Sequence, residues 1–196
     1  MPNNVTTVCE VFGPDTDLDA FASAHLGHDR NDAKIATFDF QTIAPMPAVL
    51  DGTQAGTYAE LGFVALNGPL AAFRTNRFIN TTSVRSFLDG YGAVPKHIRE
   101  REELRTWLSD YMPQALVEGR QALRAYEETK HMSWYEWSIE HWGTKWNAYQ
   151  VEIRERESRR QVFKFETAWS FPEPIFVALA VRYPTLRFDV RAFDEG

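Results

Sequence analysis

The alternation of apolar and polar positions predicts strands near both ends of the chain. Residues 5–12 are rich in β-branched side chains and stop at Gly13-Pro14, which indicates a strand followed by a turn. Residues 186–192 alternate apolar and charged side chains with period two, as does a strand with one wet face. Further strands are predicted at 35–40, and at 147–153 and 161–167 on either side of a charged hairpin tip.

Helical spacing of apolar residues predicts helices between these strands. Asp15, Thr16 and Asp17 offer N-cap oxygens to a helix that ends before Gly27. Ser170, three residues before Glu173, matches a capping box for a second helix.

The middle of the chain has a more helical pattern. Ser83 begins one predicted helix, and Leu104, Trp107, Leu108 and Tyr111 form the apolar stripe of another. Further helices are predicted at 116–126 and within the segment 133–146, where Gly143 stops the helix, whereas the glycines and prolines of 45–68 predict loops and short pieces.

These elements predict an α+β fold. The order β-α-β, helices, then β-β-α-β fits a ferredoxin-like antiparallel sheet with helices on one face, an extra strand and a helical insertion in the middle of the chain. A length of 196 residues suits one domain. We expect a single domain over 1–196, with its ferredoxin-like core from 1–47 and 132–196 and a mainly helical insertion at 48–131.

The net charge favours some classes of partner over others. The chain carries a net charge of -6, and its first 65 residues hold nine acids against two bases. This acidity disfavours nonspecific binding to phosphate backbones and attracts a basic partner, such as a protein that normally binds nucleic acid. The simpler interpretation is an acidic surface that serves solubility.

Composition also bears on the compartment. Cys9 is the single cysteine, so an internal disulfide is impossible. The first residues have neither the basic nor the apolar region of a secretion signal, and the longest uncharged stretch, 61–73, is too short for a membrane span. A cytoplasmic protein without membrane contact is therefore expected.

Two clusters could carry binding chemistry. The densest basic cluster falls at the predicted hairpin tip, where it could meet phosphates or an acidic protein surface, although interleaved glutamates partly cancel it. It comprises Arg154, Arg156, Arg159 and Arg160. The tryptophans of 133–146 could stack bases, but core packing accounts for them more simply.

Metal and catalytic patterns are weak. Glu136 and Glu140 are spaced for one helical face, and His25 and His28 lack a second ligand pair. No catalytic residue, metal ligand or cofactor site is predicted. An enzyme would need a site assembled from carboxylates and from the histidines at 97, 131 and 141, which lie far apart in sequence.

Four segments carry a family resemblance. They are Met1-Pro2-Asn3, Phe38-x-Phe40 with Ile43-x-Pro45-Met46-Pro47, Trp142-Gly143-Thr144-Lys145-Trp146-Asn147-Ala148-Tyr149, and Thr167-Ala168-Trp169-Ser170-x-Pro172-x-Pro174-Ile175. Together they resemble the YubB-type (Api-like) ferredoxin-like proteins of phages and plasmids. The chain departs from that family at Asn4 and Val5, where Trp and Cys are usual, and at Phe171, where Pro is frequent. The resemblance implies a mobile-element accessory protein and assigns no activity.

The first functional hypothesis is a non-catalytic protein that binds a host protein, such as a nucleic-acid-handling defence complex of the CRISPR kind. Its predicted contact residues are Asp15, Asp17, Asp19, Asp29, Asp32, Arg154, Arg156, Arg159 and Arg160. One alternative is direct nucleic-acid binding through the sheet and the Arg154–Arg160 hairpin, which the negative charge disfavours. The other is an uncharacterised enzyme.

Overall fold

The computed structural model describes residues 3–29, 31–73, 83–154 and 156–195. The motif residues Met1 and Pro2, and positions 74–82 of the predicted insertion, lie outside these ranges. The chain divides into two compact units. We call Met1–Met46 with Trp137–Gly196 the sheet unit, and Pro47–Glu136 the helical unit.

The described residues form six strands and seven α-helices. The strands are β1 Asn4–Phe12, β2 Leu26–His28, β3 Ala36–Phe38, β4 Tyr149–Ile153, β5 Arg160–Ala168 and β6 Arg187–Asp194. The helices are α1 Asp15–His25, α2 Thr57–Ala65, α3 Val84–Leu88, α4 Arg101–Tyr111, α5 Pro113–Thr129, α6 Trp134–His141 and α7 Glu173–Arg182.

All the strands join one antiparallel sheet in the order β2-β3-β4-β5-β1-β6. Helices α1 and α7 pack on one face of it, where Phe21 lies 6.0 Å from Phe163 and Phe165 lies 6.3 Å from Phe176 between ring centroids. The predicted α+β fold, an antiparallel sheet with helices against one face, is confirmed.

Alternation along β1 shows which residues face the helices. Val5, Thr7, Cys9 and Val11 are buried on that face, while the intervening residues are half-exposed on the opposite face. Cys9 is fully buried and is a small residue of the core. Burial raises the pKa of its thiol far above the ordinary value, so it stays protonated.

The helical unit is built on a core of its own. Phe63, Phe73, Phe87 and Leu104 are buried in it. Residues 57–65, predicted as loop, form α2 instead. The glycine at 62 that suggested a break lies where α2 crosses α5.

Helix starts differ from the sequence signals in two places. Pro14 occupies the N-cap of α1 without a side-chain hydrogen bond, and Pro172 occupies that of α7. The predicted capping box is therefore wrong, and the Ser170 hydroxyl donates to the Gly143 carbonyl at 2.5 Å. The Ser83 cap is confirmed, because its hydroxyl accepts the Ser86 N–H at 3.2 Å.

One strand prediction needs correction, and one strand was not predicted. The strand predicted at 35–40 is limited to β3, and Phe40 begins a 3-10 turn, Phe40–Thr42. The three-residue strand β2 has too short a pattern to be predicted from sequence. Within the described ranges, no helix combines the length and the apolar character needed to cross a membrane.

Candidate protein-binding surfaces

The start of α1 and the turn between β4 and β5 bring predicted contact residues of opposite charge together. The Arg156 guanidinium lies 2.7 Å from the Asp15 carboxylate and also pairs with Asp19. Pro14 directs α1 away from β1, and the neighbouring Gly13 N–H donates to the Arg159 carbonyl at 3.3 Å. Sequence positions more than 130 residues apart are thus joined in one charged cluster, which we call the α1–hairpin cluster.

Asp15 is the centre of this cluster. Its carboxylate accepts the Arg159 backbone N–H at 2.8 Å in addition to the Arg156 guanidinium. These two interactions, the backbone hydrogen bond first, hold the pKa of Asp15 below its ordinary value. The carboxylate therefore stays ionised, and its hydrogen-bonding capacity is largely used by groups of the same chain.

The other predicted acids fix loops. Asp17 accepts the Thr185 hydroxyl at 2.5 Å. Asp29 accepts the backbone N–H of residue 31 at 2.7 Å, and Asp32 accepts that of residue 34 at 2.9 Å, so both organise the turn between β2 and β3. The structure does not assemble the five aspartates into one surface: among the contacts of the described residues, only Asp15 and Asp19 share a partner.

The remaining arginines divide between two strands. The Arg160 guanidinium lies 2.7 Å from Glu10 on β1 and 3.1 Å from Glu157. The hydrogen bond from Arg160 is the main reason that the pKa of Glu10 is lowered. Arg154 follows β4, and its backbone N–H donates to Val162 at 3.0 Å. Glu155, one of the glutamates interleaved with these arginines, lies outside the described residues.

The tryptophan segment divides between the core and the surface. Trp137 and Trp142 are buried, as expected from core packing. Trp146 is 40% exposed, and the Lys145 ammonium lies 4.5 Å from its ring centroid and 4.8 Å from that of Trp169. The exposed aromatic surface in this segment therefore carries a lysine from the same chain.

Two of the residues considered as ligands, His25 and Glu136, have local partners. His25 is buried, and its ring nitrogens lie 2.7 Å from the Thr42 hydroxyl and 3.0 Å from the Tyr183 hydroxyl. Glu136 accepts the Met132 N–H at 2.7 Å, and burial raises the pKa of its carboxyl. Both side chains serve the packing of their own units.

A groove along α4 is the second candidate surface. It is a shallow, open groove of about 400 Å³ between α4 and the segment that precedes it, with the buried Ile98 among its lining residues. The rings of Trp107 and Tyr111 stack with centroids 5.8 Å apart and 28° between their planes. Tyr111 is 72% exposed, so an aromatic face is open to a partner.

Carboxylates complete this groove, which we call the α4 groove. Glu102, Glu103 and Asp110 belong to its lining, and among the described lining residues there is no lysine or arginine. Glu103 accepts the backbone N–H groups of Arg99 at 2.7 Å and of Glu100 at 3.1 Å. These bonds, which belong to a capping box at the start of α4, lower the pKa of Glu103 and keep it charged.

The α4 groove was not predicted from the sequence. Its aromatic residues Trp107 and Tyr111 were assigned to the buried stripe of α4, but only Leu104 and Leu108 are buried. The signal was present as carboxylates and aromatics alternating along one helical side, at 103, 107, 110 and 111. His97, one of the histidines considered for an enzyme, also lies in this groove.

Comparison with known proteins bears on the sheet unit. Residues 141–196, which contain β4, β5, α7 and β6, match a family model described as the ferredoxin-like domain in Api92-like protein. This part of the chain is similar to that domain. The resemblance inferred from the sequence is thereby supported for the ferredoxin-like domain, and a phage or plasmid origin stays a prediction.

Similarity over the whole chain is low. The crystal structure of protein api92 from Yersinia pseudotuberculosis aligns with a TM-score of 0.42 and 8% sequence identity, covering 100% of this chain and 91% of that one. No curated protein matches the chain significantly.

Proposed function

We propose that this protein is a non-catalytic accessory protein of a mobile element that binds a basic surface of a host protein through the α4 groove. The observation that supports this most strongly is the exposed Tyr111 ring, stacked on the half-buried Trp107 and lying beside Asp110 and Glu103. An open aromatic face next to ionised carboxylates is the environment in which arginine and lysine side chains bind well.

The chemistry of the groove favours a guanidinium. A cation over an aromatic face gains about 0.5–2 kcal/mol, depending on how far it is desolvated. A carboxylate beside the ring adds a charge-assisted hydrogen bond. Asp110 forms no ion pair with any described residue, which leaves it available to such a cation. Glu102 contributes less, because it pairs with Arg105 on the same helix.

The net charge of the protein points to the class of partner. Proteins that handle nucleic acid expose arginine and lysine to neutralise phosphates. An acidic protein of charge -6 is steered toward such surfaces and away from the nucleic acid itself. A cytoplasmic nucleic-acid-handling defence complex, such as one of the CRISPR kind, has the required chemistry.

The α1–hairpin cluster offers a second contact. Asp15 and Asp19 are paired with Arg156, whose own side chain is only 25% exposed. The side chains of Asp15 and Asp19 are 52% and 68% exposed, so a partner arginine can approach them beside Arg156. The predicted contact residues Asp15, Asp19, Arg156 and Arg159 are therefore retained in the proposal as a secondary site.

Affinity capture tests the proposal. Tagged wild-type protein, the Asp110→Lys variant and the matched Glu127→Lys variant are expressed in a host, and each extract is analysed with and without nuclease. Both substitutions change the net charge of the protein by the same amount. Glu127 lies on the exposed side of α5 and outside the groove, so its variant controls for the charge change alone. We expect one protein partner that survives nuclease treatment with wild type and Glu127→Lys and is lost with Asp110→Lys.

Two outcomes overturn the proposal. Recovery of the same proteins with Asp110→Lys as with wild type removes the groove as the binding site. Recovery of nucleic acid, with protein lost after nuclease treatment, would instead favour nucleic-acid binding through the arginines of the Arg154–Arg160 hairpin.

A further inference from the structure

One edge of the sheet is long and regular. Strand β6 is the last in the sheet order, so no strand of the described residues pairs with its outer side. Its register with β1 runs from Val5 opposite Asp194 to Phe12 opposite Arg187 without a bulge. Proteins commonly protect such an edge from added strands by a proline, a bulge or a short strand. β6 has none of these, whereas β2 at the opposite edge is only three residues long.

Backbone groups of alternate residues are open along this edge. The Glu195 N–H donates to the Asn4 carbonyl on β1 at 3.2 Å, which fixes the residues of β6 that bond to β1. Because bonded and non-bonded pairs alternate in an antiparallel ladder, the N–H and C=O groups of Phe188, Val190 and Ala192 point away from β1. Each of these residues therefore offers a donor and an acceptor to an added strand.

The side chains of β6 are complementary to those of a second β6 that runs antiparallel to it about Val190. This pairing places Asp189 of each copy opposite Arg191 of the other copy, on the face of the sheet away from the helices. The side chains of Asp189 and Arg191 are 49% and 73% exposed. On the same face Arg187 lies opposite Phe193, whose ring is open to a cation because the residue is 57% exposed.

The helix-facing side of β6 is apolar and fits the same register. Val190 lies opposite the Val190 of the second copy, and Phe188 lies opposite Ala192. These are the residues whose backbone groups point outward, so the pairing forms about six hydrogen bonds between the copies. One register thus joins apolar to apolar side chains and opposite charges to each other.

Neighbouring registers are disfavoured by charge. A pairing centred on Asp189 puts Arg187 opposite Arg191 and Asp189 opposite itself, and one centred on Arg191 puts that arginine opposite itself. Like charges directly opposite each other destabilise a strand pair. A peptide of another protein would have to supply the matching sequence, whereas a second copy of this chain carries it already.

We propose that two copies of this chain associate through β6, antiparallel and centred on Val190, so that the sheet continues from one copy to the other. A contact made by residues 187–193 of each copy is small, so the dimer is reversible. The contact lies in the sheet unit. It is independent of the α4 groove and adds to the proposed function without resting on it.

Sedimentation velocity of the full chain at increasing concentration tests the association. We expect a reversible shift from a 22.5 kDa particle toward twice that mass. Asp189→Arg and Arg191→Asp each place like charges opposite one another, so each variant alone is expected to associate at least about tenfold more weakly. An equimolar mixture of the two variants restores both charge pairs and is expected to associate as wild type does. Glu127→Lys changes the net charge as much as Asp189→Arg does, but outside β6, and is expected to leave the association unchanged.

A cysteine on the two-fold axis tests the register. Residues opposite each other in a bonded antiparallel pair have Cα atoms about 5.5 Å apart, a separation that a disulfide spans. Val190→Cys is therefore expected to give a disulfide-linked dimer on mild oxidation, measured by non-reducing electrophoresis. Ala192→Cys is the matched control, because the two copies of residue 192 would lie roughly 14 Å apart. The native Cys9 is fully buried and does not interfere.

Three results would overturn the proposal. A chain that stays monomeric up to about 1 mM does not associate through β6, and its edge is left to an extended segment of a different protein. Equal association of wild type, the single charge variants and their mixture places the contact elsewhere. Equal cross-linking of Val190→Cys and Ala192→Cys contradicts the register, and this comparison decides alone if a charge variant loses the circular dichroism of the folded protein. None of these measurements involves a basic partner, so failure of the dimer is distinguished from failure of the α4 groove.

Discussion

Gly62 on α2 and Gly119 on α5 meet backbone to backbone. A Cβ atom on Gly119 would lie 2.2 Å from the carbonyl carbon of Gly62, and one on Gly62 would lie 1.8 Å from the Ala115 carbonyl oxygen. No side chain fits at such distances, so the core of the helical unit depends on both glycines. The contact also explains why a residue that disfavours helices occupies the middle of each.

Gly62→Ala is therefore expected to destabilise the protein in spite of the better helix propensity of alanine. Propensity alone would stabilise by about 1 kcal/mol. Separation of the helices is expected to outweigh this and leave a net loss of about 2 kcal/mol or more in the free energy of unfolding, measured by urea denaturation. Gly92→Ala is the control, because a Cβ there meets nothing within 4 Å. Equal stabilities of the two variants would contradict the close approach of α2 and α5.

The buried His25 is expected to make stability depend on pH. Burial, with a smaller contribution from the Arg182 charge, lowers its pKa from 6.5 to about 4. A neutral histidine is thus favoured in the folded protein, and its contribution is fully present above the unfolded value of 6.5. As the pH falls from 6.5 to about 4, the unfolded state takes up a proton first and stability of the order of 3 kcal/mol is lost.

His25→Gln removes the titrating group while offering a donor and an acceptor to Thr42 and Tyr183. The difference in unfolding free energy between wild type and this variant should narrow as the pH is lowered from 7 to 4, measured by urea denaturation at several pH values. A difference in unfolding free energy that stays constant across that range would show that His25 has the same pKa in the folded and the unfolded protein.

Much of the sheet unit could be predicted because its signals are local. The period-two pattern before the C-terminus gave β6, and the apolar spacing after Pro172 gave α7. The pairing of Asp15 with Arg156 could not be predicted, because no spacing rule connects a helix start to a hairpin turn so distant in sequence. Both were predicted contact residues, but nothing in the sequence indicated that they pair with each other.

The helical unit was less readable for a different physical reason. Gly62 favours a loop by propensity, and only the tertiary contact with Gly119 shows why it is in a helix. Tyr111 has the spacing of the buried stripe of α4, yet it lies at the C-terminal end of the helix, where 72% of it is exposed. Spacing identifies a helical face but not how far the core extends along it.

Thr7 carries a polar group in the core that lacks a hydrogen bond. Its hydroxyl oxygen is buried and has no hydrogen-bond partner among the described residues. Thr7→Val replaces the hydroxyl by a methyl of similar size and is expected to raise the free energy of unfolding by about 1 kcal/mol, measured by urea denaturation.

Thr167→Val is the matched comparison on the neighbouring strand. Its hydroxyl donates to the Ser170 carbonyl at 2.8 Å, so the same change should destabilise by about 1 kcal/mol. Destabilisation of equal size in both variants would contradict the assignment of Thr7 as unsatisfied.

The most direct measurement of the central claim is an NMR titration of the purified protein with a short arginine-rich peptide, following the Trp107 indole and the Tyr111 amide. The same peptide with citrulline in place of arginine serves as the neutral control. We expect saturable shifts with the arginine peptide, binding that weakens as salt is added, and an affinity about tenfold lower for Asp110→Lys with little change for Glu127→Lys. Unshifted Trp107 and Tyr111 resonances, or equal affinity for the citrulline peptide, would contradict the assignment of the α4 groove as a site for a basic partner.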